Sequence, residues 1–179
     1  DNETGNHVKR VSLYAEALAR KIGLDEQQCH LIKIASPMHD IGKIGVSDSI
    51  MLKPGKLTET EYLEMQKHVE IGGEILSGGT APVLQYAYEI VMTHHEKYNG
   101  KGYPNGLAGE EIPVSGRIVA IVDVFDALTS SRPYKQAWTI EKAVDLLKKE
   151  RGEHFDPYFV DCFIDILPEI HSISEMFHD

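Results

Sequence analysis

Apolar residues recur at helical spacing along almost the whole chain. Val8, Val11, Ala15, Leu18 and Ile22 form one stripe, ended by Gly23. Asp25 can cap a second helix carrying Leu31, Ile34, Ala35 and Met38. Pro37 inside that pattern predicts a kink or an early break, and the pattern stops near Gly42. Residues 43–57 read as a loop with a short helical turn from Ser47 to Leu52. Thr58 and Glu61 make a capping box for a third helix through Ile75, closed by Gly78-Gly79. A fourth helix runs from Pro82 to His94-His95. The stretch from Asn99 to Pro113 is irregular and rich in Gly and Pro. A fifth helix covers Ser115 to Ser130, and Thr139 caps a sixth. Asp156-Pro157 opens a seventh, which Pro168 kinks or divides. The pattern predicts an all-α fold of about seven helices, in one domain over residues 1–179 without repeat or linker.

Composition narrows the class. A chain of 179 residues with 42% hydrophobic content can build one substantial core. No apolar run is long enough for a bilayer span and no signal peptide opens the chain, so the expectation is a cytoplasmic domain without membrane contact. The first residue is Asp1 rather than Met, which suggests a piece of a longer protein. A net charge of −10 argues against binding polymeric nucleic acid. A small anionic substrate stays compatible, because bound metal cations reverse the local sign. Cys29 and Cys162 lack ligand spacing and read as two reduced thiols.

Candidate chemistry lies in scattered histidines with carboxylates beside them: His7, His39-Asp40, His68, His94-His95 and Asp123. A zinc finger would cluster its ligands within a short stretch. Ligands spread over a domain suggest several helices converging on one metal cluster. Neighbours on a helix diverge by roughly 100°, so an adjacent pair reaches two metals more readily than it chelates one. Imidazole and carboxylate without thiolate suit iron, manganese, zinc or nickel. His30, His154, His171 and His178 lack this setting and read as surface or supporting residues.

His39-Asp40-Ile41-Gly42-Lys43 resembles the HDIGK signature of the HD superfamily of metal-dependent phosphohydrolases. His94-His95-Glu96 followed by Gly102-Tyr103-Pro104 resembles its HD-GYP subgroup. The resemblance continues through Asp123-Val124-Phe125-Asp126-Ala127-Leu128-Thr129 and Arg132-Pro133-Tyr134-Lys135, and ends near His154-Phe155-Asp156-Pro157. It implies a helical cyclic di-GMP phosphodiesterase with two or three metals, most often iron or manganese. The implied ligands are His7, His39, Asp40, His68, His94, His95 and Asp123, with Glu3 for a third metal. Asp40 is the candidate bridge between metals. Attack of metal-activated hydroxide on phosphorus would open cyclic di-GMP to the linear dinucleotide pGpG and then give GMP.

The resemblance further implies Lys43 on the scissile phosphate, and Arg132 and Lys135 as a phosphate clamp, a role suited to the planar guanidinium fork. Asp126 is open between a further ligand, a carboxylate behind the ligands and a substrate contact. Tyr103 either packs the core or borders the pocket, and the family's Gly-Tyr-Pro loop also meets GGDEF diguanylate cyclases. An upstream sensor or receiver domain is expected in the longer protein. Two other readings stand beside this one. One is hydrolysis of another cyclic dinucleotide, such as cyclic GMP-AMP, or of a nucleotide phosphate. The other is a non-catalytic signalling module with a structural metal site.

Overall fold

Thr4 starts the first helix: its backbone is extended and its hydroxyl accepts the His7 N–H, so α1 runs Gly5–Ile22. Gly23 ends it at φ 103°, in the left-handed region that favours glycine. This computed structural model describes residues 4–132 and 134–179. The buried face of α1 holds Val11, Ala15 and Leu18 as the stripe predicts, but it also takes in Tyr14, His7 and Arg10. Two polar side chains on a core face escape a hydrophobic count, and both matter below.

The second helix, α2 (Glu26–Ala35), has the Asp25–Gln28 capping box. Its inner face is Cys29, Ile32 and Ala35. The expected stripe lay one residue away: Ile34 is 45% exposed. As Pro37 predicts, α2 does not continue. A 3-10 turn occupies Ser36–Met38 and a second 3-10 segment Ile41–Gly45. Then come the short α3 (Asp48–Met51), α4 (Glu59–Leu76) behind the Thr58–Glu61 capping box, and α5 (Pro82–Thr93) with proline in its first turn. The apolar α6 (Val114–Thr129), α7 (Ile140–Lys149), α8 (Pro157–Asp165) and α9 (Leu167–Met176) complete the chain. Pro168, in the first turn of α9, marks the division expected of the last segment. The described residues are thus all-helical, with only isolated β-bridges.

Packing centres on α1 and α6. Helix α1 meets α2, α6, α8 and α9, while α6 also meets α5, α7 and α8. Tyr14, Phe125 and Phe163 interlock edge to face, and Leu18, Ile90, Ile118, Ile121 and Leu147 are fully buried around them. Each such side chain contributes roughly 1.5–3 kcal/mol. Cys29 and Cys162 are free and buried in this core. No helix among the described residues is long and apolar enough to cross a membrane. The core's role for the site is to fix α1, the break after α2, α4, α5 and α6 around one polar spot.

Candidate metal centre

The break after α2 delivers the first two side chains. Ser36 in the 3-10 turn accepts both the backbone N–H of His39 and its ring Nδ1–H, at 3.1 and 2.7 Å. Asp40 follows in the bridge region, φ −106°, ψ 17°. Gly42 then passes against α4 so closely that a Cβ would overlap the His68 carbonyl oxygen and crowd the Gly72 nitrogen. Only glycine lets this segment lie on α4, and that contact sets Asp40 opposite His68. Helix α5 ends at His94 and His95, α6 carries Asp123, and the first turn of α1 supplies His7.

Two donor groups result. Asp40, His68, His94 and His95 offer ligand atoms all within 4.8 Å of one another, and so do His7, His39 and Asp123. Asp40 faces both. Its Oδ1 lies 3.3 Å from His68 Nε2 and 3.5 Å from His94 Nε2. Its Oδ2 lies 3.2 Å from His39 Nε2 and 2.8 Å from Lys43 Nζ. Asp123 Oδ1 lies 3.3 Å from His39 Nε2 and 3.6 Å from His7 Nε2.

Ring tautomers make this a fit for cations. His68 Nδ1 bonds the Met65 carbonyl at 2.7 Å and His94 Nδ1 the Ile90 carbonyl at 3.0 Å. His7 Nδ1 bonds Asp126 Oδ2 at 2.6 Å. A carbonyl or carboxylate only accepts, so each of these Nδ1 atoms, like that of His39, carries the donated proton. In the neutral ring each Nε2 then presents a lone pair towards a carboxylate oxygen. The Nε2 atoms of His7, His39 and His94 and Asp40 Oδ1 are buried without a hydrogen-bond partner. Acceptor facing acceptor at 3.2–3.6 Å is repulsive unless a proton or a metal cation lies between them. His95 Nε2 and His68 Nε2 meet at 3.2 Å in the same way.

The electrostatics agree. Burial opposes charge on His39, yet Asp40 and Asp123 more than offset it and hold its pKa well above 6.5. Burial would raise the Asp40 and Asp123 carboxyls, but His39 above all holds both below the usual carboxylate range. His95 goes the other way: burial, then His94 and His68, push it well below 6.5. A metal entering this site therefore competes with protons, and its affinity falls at low pH.

A cleft of about 280 Å³ opens over the carboxylates. Asp40, Lys43, His68, His95, Asp123 and Arg132 line it, together with Tyr62, Met65, Tyr103 and Ala127. Tyr103 borders this cleft and stacks on His95, with centroids 4.8 Å apart and planes 15° apart. Its loop is tied down by Glu96, a buried side chain that accepts the Asn105 and Leu107 N–H groups at 2.7 and 3.0 Å. Gly102 passes against the backbone of His95 and Glu96, where a Cβ would collide.

Two expected site residues sit differently. Asp126 does not open on the cleft: it is fully buried, its oxygens bonded to His7, Arg10 and Ser130. Of its three readings, the geometry matches a carboxylate behind the ligands rather than a substrate contact. Lys135 is exposed, with Nζ 5.7 Å from the centre of the Trp138 ring, and does not line the cleft. Arg132 lines the cleft beyond the end of α6 at Thr129, and it pairs with Lys135 backbone to backbone at 2.9 and 3.0 Å. Glu3 lies outside the described residues. His30, His171 and His178 are exposed, as expected. The sequence motifs hold Glu96 but leave out Arg10 and Tyr62. Arg10, one turn after His7 on a core face, carries a readable signal; Tyr62 carries none.

A family model for the HD domain matches residues 2–159. The chain belongs to the HD domain family, in its HD-GYP branch. It is 50% identical over 177 residues to 3'3'-cGAMP-specific phosphodiesterase 2 of Vibrio cholerae serotype O1, covering 99% of this chain and 34% of that protein. It is 46% identical over 177 residues to the cyclic di-GMP phosphodiesterase response regulator RpfG of Xanthomonas campestris pv. campestris, covering 99% of this chain and 47% of that protein. The fold matches the solved structure of Bd1817, an HDG"Y"P protein from Bdellovibrio bacteriovorus, with a TM-score of 0.72 at 20% identity over 90% of this chain and 51% of that one. The chain thus spans from about a third to about half the length of these relatives.

Proposed function

We propose that this chain is a metal-dependent phosphodiesterase acting on cyclic dinucleotides, with cyclic di-GMP as leading substrate. The observation that carries the reading is Asp40, whose two oxygens face two separate imidazole groups on the floor of a cleft that also presents Lys43 and Arg132. In this reading Asp40, His68, His94 and His95 would hold one divalent metal and His7, His39 and Asp123 a second, with Asp40 facing both groups. Bound metals supply Lewis acidity and lower the pKa of water. Iron and manganese suit this oxygen and nitrogen donor set.

The chain's own groups do the rest. Lys43 Nζ, held by Asp40 Oδ2, offers its N–H bonds and charge to the non-bridging oxygens of the reacting phosphate. Arg132 at the cleft wall takes the other phosphate through its fork. Tyr62 and Tyr103, an edge-to-face pair with centroids 6.5 Å apart, give the bases apolar walls. Opening one ester yields the linear dinucleotide; a second cleavage yields GMP. Glu3 would be a ligand for a third metal, which would supply further positive charge for a terminal phosphate. Binding of GGDEF proteins at the Gly-Tyr-Pro loop belongs to the same proposal.

A specific observation favours a second reading, cleavage of 3'3'-cGAMP, since the relative at 50% identity is named for that activity. Product analysis with cyclic di-GMP and 3'3'-cGAMP side by side, on metal-loaded protein, decides between them. Faster turnover of cyclic di-GMP supports the leading reading. Faster turnover of 3'3'-cGAMP replaces it with the second, and no product from either leaves a metal-bound signalling module.

A further inference from the structure

His68, His94 and His39 have their rings fixed by backbone carbonyls three or four residues earlier. His7 cannot use that device, because it sits in the first turn of α1 with no completed helical turn behind it. Its Nδ1 is held instead by a side chain, Asp126, at 2.6 Å. Asp126 is three residues after Asp123 on α6, so one helix faces both nitrogens of His7: Asp126 bonds Nδ1, and Asp123 Oδ1 lies 3.6 Å from Nε2.

Asp126 is itself clamped. Arg10 Nε donates to its Oδ1 at 2.6 Å and Arg10 Nη2 to its Oδ2 at 3.1 Å. Arg10 is 3% exposed and Asp126 fully buried, so neither charge has water to fall back on. The remaining Arg10 donors reach Ser130 Oγ at 2.8 Å, Asp179 Oδ2 at 2.9 Å and the Phe177 carbonyl at 2.5 Å. Asp179 Oδ1 in turn accepts from Thr4 Oγ1 at 2.8 Å, the same hydroxyl that caps the His7 N–H. Asn6 Nδ2 adds a bond to the His178 carbonyl at 3.0 Å.

We infer that Arg10 and Asp126 are positioning residues for the His7–His39–Asp123 donor group, and that Phe177–Asp179 completes their clamp. The inference rests on the metal-centre reading above. The carboxylate fixes the His7 tautomer and makes its Nε2 a stronger donor, while Arg10 keeps the carboxylate in place. The other donor group owes nothing to this network, so the effect is confined to one metal.

Metal titration against a competing chelator, with circular dichroism to check folding, tests this. Asp126→Asn and Arg10→Lys are expected to bind one metal equivalent about 10–100-fold more weakly, the range for residues behind a ligand, and to keep the other at wild-type affinity. Asp179→Asn is expected to show the same selective loss, smaller in size. His7→Ala serves as the reference for full loss of that equivalent. Wild-type affinity at both sites in a folded Asp126→Asn or Arg10→Lys protein overturns the inference, as does equal weakening of both sites. Should Asp126→Asn not fold, Arg10→Lys and Asp179→Asn decide alone. Two tight metals retained in His7→Ala would instead overturn the metal-centre reading itself.

Discussion

The floor and the rim of the cleft are built on opposite principles. On the floor, His39, His68 and His94 are each at most 2% exposed, with Nδ1 tied to a backbone carbonyl. Their position is settled by the ends of α2 and α5 and by the close passage of Gly42 against α4. At the rim, Arg132 and Lys135 belong to a turn after α6, and Tyr134 between them is 83% exposed. The floor is fixed by buried hydrogen bonds, whereas the rim is set by an exposed turn. In the proposed function this would separate metal binding from substrate choice, and the relatives are named for different cyclic dinucleotides.

The largest expected effect falls on the floor. Asp40→Ala removes the carboxylate shared by both groups, and turnover should drop by more than about 100-fold, beyond the usual cost of changing a residue behind a ligand. Steady-state kinetics with metal analysis check this; wild-type turnover would mean that Asp40 is not the bridge. Metal removal comes next. Ligands arrive from separate segments across the chain, so a metal bound only by the native state stabilises it by mass action. At about 100-fold excess over Kd this amounts to roughly 2.7 kcal/mol, or about 5–10 °C in Tm for a domain of this size. A melting curve unmoved by chelator would show that the centre does not tie the segments together.

The rim effects are smaller and sharpen the contrast. Lys43→Ala and Arg132→Ala should each cost about 1–3 kcal/mol in kcat/KM with metal content intact. Lys43→Ala should act mainly on kcat and Arg132→Ala mainly on KM. Lys135→Ala should cost less than either, since that side chain lies over Trp138 outside the cleft. An equal loss for Lys135 would place it on the substrate despite this position.

The smallest effect lies in the loop preceding α8. Burial, and then Lys97, lower the His154 pKa to about 4 from 6.5. Between those values the unfolded chain binds the extra proton, so stability rises with pH through this window and is lost as pH falls through it. In chelator-treated protein, His154→Gln should flatten the dependence of Tm on pH below 6.5. An unchanged slope would assign it to other groups.

Much of this was legible in the chain because it is local. Caps at Thr58, Asp25 and Thr139, breakers at Pro37 and Pro168, and helical spacing report on their own segments. The HDIGK and Gly-Tyr-Pro motifs carried the family for the same reason. What stayed hidden is relational. Which face of α2 turns inward depends on its neighbours, and the face read from spacing was one residue off at Ile34. Asp126 could be read three ways because its role depends on Arg10, more than a hundred residues away, closing behind it. The motif that holds Arg132 and Lys135 does not show that, beyond the end of α6, only Arg132 lines the cleft.

In the proposed function, the two donor groups that Asp40 faces act together on one phosphodiester. Stepwise metal addition to stripped protein, with product formation from cyclic di-GMP and 3'3'-cGAMP followed at each step, tests it most directly. Activity on at least one of them should be nearly absent at one equivalent per chain and appear as the second is filled. Full activity at one equivalent, or no product from either dinucleotide with both sites filled and the chain folded, would contradict it.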